Sequence, residues 1–315
     1  MRATMLLATT ALLFAQGAAD DAVRYPLAPG VITGAVNNYT AKPGDTVARL
    51  APGFGVHPIR IRKPSEGLLK DGLQPGETIF VDQRHIMPAI YNWVEGIVLN
   101  VPEAHVYVVE GGRIVKDYPV AVSRSDWKVP LGKTQVVDKT ENPTWYVPES
   151  IQREMAKNGR EVKTRVEPGP DNPLGTRWIG FADGTYGFHG TTAPNSIKTY
   201  ASHGCVRFLR RDIEDLYSRV KVGTPVRIYY QPLMMAVDEG AVWVSAYPDI
   251  YELGFDYEDA VRTLAAQAKV SQHLNWETIK EAITSRDGIP RNVSRPSEPR
   301  PRATGSPDSP IDLLD

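Results

Sequence analysis

Short β-rich runs separated by turn signals recur from Ile97 to Tyr230, and this pattern constrains the fold more than any other feature of the chain. The run 105–109 is followed by a glycine pair and a second β-branched run, which predicts a hairpin. Only 149–159 and 209–220 show the apolar spacing of a helix within this region. We therefore predict a mainly β domain over residues 95–231.

Segments of different composition flank this domain. Residues 39–83 indicate a strand, a helical middle, a turn and a final strand, because Asp45 is suited to cap a helix and a Pro-Gly pair precedes the last apolar run. Residues 232–285 contain two strand patterns and then two helical ones, which predicts a small α/β subdomain. Residues 286–315 are rich in proline and have no aromatic side chain. That composition buries too little apolar surface to offset chain entropy, so we predict a disordered tail.

The first residues predict an exported protein. Residues 1–19 have a positive charge at Arg2, an apolar stretch from Met5 to Ala15, and small residues up to Ala19, as in a cleavable signal peptide. The alternative is a membrane anchor, but a stable span needs about 20 apolar residues and this stretch is shorter. We expect a periplasmic location. Lysine and arginine total 36 against 37 acidic residues, so the net charge of −1 gives no general attraction to nucleic acid.

The candidate chemistry lies around the only cysteine, Cys205. One cysteine excludes an intramolecular disulfide and a multi-cysteine metal site. His189 and His203 precede it in the same segment, and a nucleophilic cysteine needs a nearby imidazole and backbone donors for an oxyanion. Gly204 permits a tight turn, so the amides of residues 203–205 can converge on one point. A buried unreactive thiol, or a zinc site formed with the two histidines, is left open by the spacing alone.

The same segment resembles the signature of the L,D-transpeptidases with a YkuD-type catalytic domain, in the ErfK/YbiS-like branch that carries arginine two residues after the cysteine. The matching residues are His189-Gly190 and Ser202-His203-Gly204-Cys205-Val206-Arg207, supported in order by the stretches 141–148, 167–175 and 223–226. Residues 39–83 resemble a LysM module at Gly44-Asp45-Thr46 and Pro75-Gly76. One departure is Lys198, which follows Ser196-Ile197 where relatives usually have glycine.

The resemblance implies a β-sandwich catalytic domain with short helices, preceded by a βααβ LysM-like domain that binds peptidoglycan glycan strands. A structural module that has lost its ligand is the alternative for the N-terminal domain. The implied reaction is attack of Cys205 on the third residue of a peptidoglycan tetrapeptide stem, with release of D-alanine and formation of a thioester. Transfer to a second stem would give a 3–3 cross-link, and transfer to an outer-membrane lipoprotein would attach that protein. No metal or organic cofactor is implied.

The resemblance also assigns roles to individual residues. His189 would be the base, with its ring oriented by the carbonyl of Gly190, and His203 and Gly204 would shape the oxyanion turn. Arg207 would bind a substrate carboxylate, or else brace the loop against an acidic residue. Further polar groups expected near the substrate are Tyr186, Asn195 and Ser202. Two other functions stay open: a peptidoglycan hydrolase, acting as an L,D-carboxypeptidase or amidase with the same pair, and an inert wall-binding scaffold.

Overall fold

The computed structural model describes residues 29–63, 67–68, 72–89 and 95–295. The predicted signal peptide, residues 1–19, lies outside the described residues, as do residues 296–315 of the predicted tail. Among the helices within the described ranges, none is long and apolar enough to cross a membrane.

In its described residues, the N-terminal module is a small sheet with one α-helix. Its elements are β1 (Val31–Thr33), β2 (Val36–Thr40), α1 (Val47–Phe54), a 3-10 turn (Pro58–Arg60), β3 (Ile61–Lys63), β4 (Gly67–Leu68), β5 (Thr78–Asp82) and β6 (His85–Met87). Strands β2, β5, β3 and β4 form a sheet in that order, and β1 pairs with β6. The side chain of Thr46 caps α1 by accepting from the amide of Arg49, and the helix ends at Gly55 in the left-handed conformation, with φ of 71°.

The second helix that we expected in this module is absent from its described residues. Between α1 and β5, the described residues form only the 3-10 turn and the short strands β3 and β4. Ile61 is fully buried by pairing with Val81 of β5, so its apolar side chain reaches the module core from an extended backbone. The βααβ order therefore does not fit the described part of this module, because Ile61–Lys63 is a strand paired with β5 and not a helix.

The central domain contains one sheet of eight strands, and four further strands form two short pairs beside it. The sheet strands are β7 (Gly96–Asn100), β8 (His105–Glu110), β9 (Arg113–Pro119), β11 (Gly132–Glu141), β14 (Arg177–Phe181), β15 (Tyr186–His189), β17 (Val206–Arg207) and β18 (Pro225–Tyr229). The paired short strands are β10 (Val122–Ser123) with β16 (Tyr200–Ser202), and β12 (Trp145–Tyr146) with β13 (Arg165–Val166). The sheet order is β17-β15-β14-β11-β18-β7-β8-β9.

A bend in β11 lets this single sheet enclose a core. The first part of β11 pairs with β18 and the second with β14, and the register shifts between Val136 and Asp138. The two halves of the sheet thereby face each other, with Leu99 and Val106 of one half and Phe188 of the other in the same buried cluster. The expected sandwich is thus formed by one curled sheet and not by two separate sheets.

Two helices belong to this domain. The helix α2 (Glu149–Lys157) has no buried residue, whereas α3 (Arg210–Arg219) buries Ile213 and Leu216 in the domain core. Both helices coincide closely with the segments that the sequence predicted. The mainly β class is confirmed.

The C-terminal subdomain packs two helices on a three-stranded sheet. Its elements are β19 (Leu233–Asp238), β20 (Ala241–Ala246), α4 (Tyr257–Gln267), a 3-10 turn (Ser271–His273), α5 (Trp276–Ser285) and β21 (Arg291–Asn292). Strand β21 lies within the segment predicted to be disordered, and it pairs with β20. Val293 is fully buried there and Ile289 nearly so. Residues 286–295 are therefore ordered, because Val293 packs in the subdomain core and Ile289 is also buried.

Candidate active site

Strand pairing places Cys205 and His189 on the same face of the sheet. Strands β15 and β17 are parallel neighbours, with Phe188 opposite Val206 and His189 opposite Arg207. Phe188 and Val206 are fully buried in the core. Because side chains alternate along a strand, Cys205, Arg207 and His189 lie on the other face. Cys205, immediately before β17, and His189 are thus diagonal neighbours on adjacent chain segments.

The turn that presents Cys205 depends on glycine and on Ser202. Gly204 has φ of 107°, in the region that favours glycine, and an added Cβ would lie 3.0 Å from the ring of Tyr186. The hydroxyl of Ser202 donates to the carbonyl oxygen of Cys205 across the turn. Two residues predicted near the substrate, Tyr186 and Ser202, are therefore in contact with the cysteine turn.

The Cys205 thiol is half-buried and neutral near pH 7. Its Sγ lies 4.0 Å from the carbonyl oxygen of Thr185. Burial raises the pKa of Cys205 to about 11, while a backbone hydrogen bond from Gly187 and the charge of Arg207 act in the opposite direction. Desolvation exceeds these two effects, so the resting nucleophile is a thiol and not a thiolate.

The His189 imidazole is also neutral. Its Nδ1 lies 2.6 Å from the carbonyl oxygen of Gly190, and because a carbonyl only accepts, Nδ1 carries the proton. Burial, with the charge of Arg207, lowers the pKa of His189 to about 4. The backbone carbonyls of Gly190 and Pro173 favour the protonated ring, so they would stabilise an imidazolium formed during a reaction. The predicted contact between His189 and the Gly190 carbonyl is present.

Two features around His189 were missed by the sequence analysis. The indole of Trp178 stacks on the His189 ring with centroids 6.0 Å apart, and it covers Gly187, where an added Cβ would lie 2.5 Å from the indole. The buried Asn172 donates to the Pro143 carbonyl at 2.8 Å and accepts from the Leu174 amide at 2.9 Å. Asn172 thereby fixes the loop that carries the Pro173 carbonyl. The only indication of Asn172 in the sequence was its position within the 167–175 motif.

A close approach of two glycines completes this loop. An added Cβ on Gly175, which has φ of 67°, would lie 2.9 Å from the Cα of Gly190. Any side chain there would push the loop away from His189. The need for glycine at position 175 is thus explained by the close approach of its backbone to that of Gly190, next to His189.

His203 is held by helix α2. Its Nε2 lies 2.6 Å from a carboxylate oxygen of Glu154, and its ring makes an edge contact with Trp127, centroids 5.0 Å apart. The hydrogen bond to His203 lowers the pKa of Glu154, with a further contribution from Arg124. The side chain of His203 therefore connects the cysteine turn to α2, a partner that the sequence analysis did not identify.

The remaining two predicted residues differ in placement. Arg207 is half-buried beside Cys205, burial lowers its pKa, and no carboxylate of the described residues forms an ion pair with it. Asn195 is exposed in a 3-10 turn, Pro194–Ser196, which lies next to α1 of the N-terminal module. The structure brings Arg207 to the cysteine, whereas Asn195 lies in a turn beside the N-terminal module.

The zinc alternative is not supported by this arrangement. In the described part of the chain, His189 and His203 bond to Gly190 and Glu154, and the three potential metal ligands that converge are His85, His105 and Asp117. The curled β-sheet presents a cysteine and a carbonyl-bound histidine on adjacent chain segments. This arrangement places the domain in the class of candidate cysteine–histidine catalysts.

Comparison with known proteins gives the family. The profile of the YkuD L,D-transpeptidase catalytic domain matches residues 95–228. The chain is 28% identical over 310 residues to the probable L,D-transpeptidase ErfK/SrfK of Escherichia coli K12, covering 93% of this chain and 98% of that protein. It is 29% identical over 230 residues to the Salmonella typhimurium ErfK/SrfK, covering 70% and 74%. It is 33% identical over 138 residues to the putative L,D-transpeptidase YqjB of Bacillus subtilis, covering 42% and 69%. The protein belongs to the L,D-transpeptidase family.

Proposed function

We propose that this protein is a peptidoglycan L,D-transpeptidase that acts through a Cys205 thioester. The observation that carries the proposal is the placement of Cys205 and His189 on one face of adjacent strands, with a carbonyl oxygen holding the proton of His189 Nδ1. The other ring nitrogen, Nε2, is then the unprotonated one and can accept a proton.

In the first step the thiol proton of Cys205 passes to His189 as sulfur bonds to the carbonyl carbon of the third stem residue. The carbonyl oxygen becomes an oxyanion. When that intermediate collapses, the C–N bond to D-alanine breaks and His189 returns the proton to the leaving amine. Because both groups are neutral at rest, proton transfer accompanies attack, and Gly190 and Pro173 stabilise the transient imidazolium.

The turn before the cysteine is suited to the oxyanion. Among the described hydrogen bonds, neither the amide of His203 nor that of Gly204 donates to another protein group. Free amides beside the nucleophile support an oxyanion role for this turn. The half-buried Arg207 would bind a carboxylate of the stem, which would account for a cation beside the thiol that forms no ion pair with any described carboxylate.

In the second step an amine takes the acyl group. A second stem as acceptor gives a 3–3 cross-link, and a lysine of an outer-membrane lipoprotein gives lipoprotein attachment. Water as acceptor makes the enzyme an L,D-carboxypeptidase. We also propose export through the segment 1–19 to the periplasm, where these substrates occur.

The test is intact-mass analysis after incubation with a tetrapeptide stem, followed by product analysis at increasing acceptor concentration. We expect an adduct on Cys205 that lacks D-alanine, and an amide-linked product that increases as the tripeptide decreases. Cys205→Ala should give neither, which separates the enzyme from an inert scaffold. A constant tripeptide yield with no amide-linked product would identify a hydrolase instead.

For the N-terminal module we propose peptidoglycan glycan binding, supported by the Gly44-Asp45-Thr46 turn that begins α1. Deletion of residues 39–83 should weaken sedimentation with purified peptidoglycan while soluble stems are still turned over. Thermal unfolding of the deletion variant serves as the control for folding. Unchanged sedimentation would leave the module with a structural role only.

A further inference from the structure

A cavity of about 460 Å³ lies where the three modules meet, lined by residues separate from the Cys205 site. The N-terminal module contributes His57 and His85, the central domain contributes His105 and Asp117, and the C-terminal subdomain contributes Tyr247. Pockets of this size at domain boundaries are common ligand sites. Its polar lining includes three imidazoles and three carboxylates, together with the cationic side chains of Arg60, Lys198 and Arg286.

Three of these groups have the spacing of metal ligands. The ligand atoms of His85, His105 and Asp117 all lie within 4.8 Å of one another. Asp117 Oδ2 is 2.7 Å from His105 Nε2 and 3.7 Å from His85 Nε2. Ligands bound tetrahedrally to zinc at about 2.0–2.2 Å are roughly 3.4 Å apart. The first distance would lengthen by about 0.7 Å and the second would shorten by about 0.3 Å to reach that spacing, and the two imidazole nitrogens lie within 4.8 Å of each other.

The three ligands are carried by separate strands. His105 begins β8, and Asp117 lies on β9 opposite Tyr107, so the two are diagonal neighbours on one face of a hairpin. His85 begins β6 at the end of the N-terminal module, and its ring stacks on that of His105 with centroids 5.3 Å apart. An ion held by all three would join the N-terminal module to the central sheet.

In the absence of a bound metal ion, Lys198 determines which ring nitrogen of His105 carries the proton. Its Nζ lies 2.7 Å from His105 Nδ1 and 3.2 Å from the carbonyl oxygen of Glu103. Lys198 donates to Nδ1, so Nε2 of His105 carries a proton and donates to Asp117. When an ion binds Nε2, the ring proton moves to Nδ1, and Lys198 Nζ then turns to its second acceptor, the carbonyl oxygen of Glu103. Lys198 adopts φ of 64°, which is strained for a lysine, to reach this position.

We propose that His85, His105 and Asp117 form a binding site for a divalent transition-metal ion of the zinc type, with the fourth coordination position open to the cavity. Two neutral imidazoles and one carboxylate are a ligand set that zinc accepts. Because a single cysteine excludes disulfides, a metal bridge is an available means of stabilising the contact between the modules. The site is independent of the chemistry at Cys205.

The experiment titrates the full chain, after treatment with a chelator, with Co²⁺ and with Zn²⁺. We expect saturable binding of one ion per chain by calorimetry, visible d–d bands of four-coordinate Co²⁺, and a rise in the unfolding temperature. His85→Ala should weaken binding by at least about 100-fold, since loss of even a supporting contact typically costs 10–100-fold. His57→Ala is the matched control, because this histidine lines the same cavity but its Nδ1 accepts from the Ile59 amide.

Two further variants test the proposed ligands and the cation beside them. Asp117→Asn preserves side-chain shape and should also abolish four-coordinate Co²⁺ bands, with circular dichroism reporting that the variant is folded. Lys198→Met removes the cation beside the ligands and should bind the ion more tightly than the wild type. Absence of one-to-one binding, unchanged affinity in His85→Ala, or an equal loss in His57→Ala would overturn the site.

Discussion

Alkylation of Cys205 by iodoacetamide should be slow at neutral pH and should accelerate up to strongly alkaline pH. Burial raises the pKa of this thiol from 9.0 to about 11. This difference corresponds to about 2.7 kcal/mol against the thiolate, at about 1.36 kcal/mol per pKa unit. At pH 7 the thiolate fraction falls from about one in 100 to about one in 10,000, so alkylation should be about 100-fold slower than for an unperturbed thiol.

The assay is the rate of mass increase of the intact protein from about pH 6 to about pH 11, with a free small thiol as the reference. The single cysteine makes the modified position unambiguous. The logarithm of the rate should rise with slope one up to about pH 10, because the reagent reacts with the thiolate alone. The same chain unfolded in guanidinium should titrate near the ordinary thiol value.

A rate plateau at neutral pH would refute the reasoning. It would mean that Cys205 and His189 exist at rest as a thiolate–imidazolium pair, contrary to the desolvation that raises one pKa and lowers the other. Acylation by substrate would then not need a proton transfer during attack.

Four further outcomes are expected. Acylation by stem peptide should be constant from neutral pH down to about pH 5 and fall below about pH 4, measured by stopped mass analysis, because a protonated His189 accepts no proton. Asn172→Ala should lower the free energy of unfolding by about 2–3 kcal/mol in a denaturant titration, because the buried amide bonds several backbone groups. Arg207→Gln should raise KM about tenfold for a stem with free carboxylates and leave KM unchanged for an amidated stem. Glu154→Gln removes the carboxylate that holds His203 at the oxyanion turn, so kcat should fall more than KM rises, whereas an unchanged kcat would separate His203 from that turn's role.

Much of the secondary structure is determined locally and could be predicted. The helices 149–157, 210–219, 257–267 and 276–285 lie within a few residues of the predicted segments, because each has apolar residues at helical spacing. The hairpin of β8 and β9 is likewise confirmed. The N-terminal module was less predictable, because Ile61 is buried by a partner strand and not by local periodicity.

The residue types for the candidate chemistry were also visible in the sequence. One cysteine, two nearby histidines and Gly204 are adjacent along the chain, and the signature that contains them identified the family correctly. The sequence could not indicate which side chains of other helices and strands contact these residues. Glu154 beside His203 and Trp178 against His189 come from other elements.

The tertiary structure alone decided the sheet order, the bend in β11 and the protonation states of the pair. Strands β15 and β17 are adjacent in space only after the curled sheet has closed, and burial in that sheet moves the pKa of Cys205 up and that of His189 down. The cluster of His85, His105 and Asp117 likewise arises from β6, β8 and β9. Periodicity reports which face of an element is apolar, whereas strand register and desolvation depend on partners distant along the chain, so only the folded structure determines them.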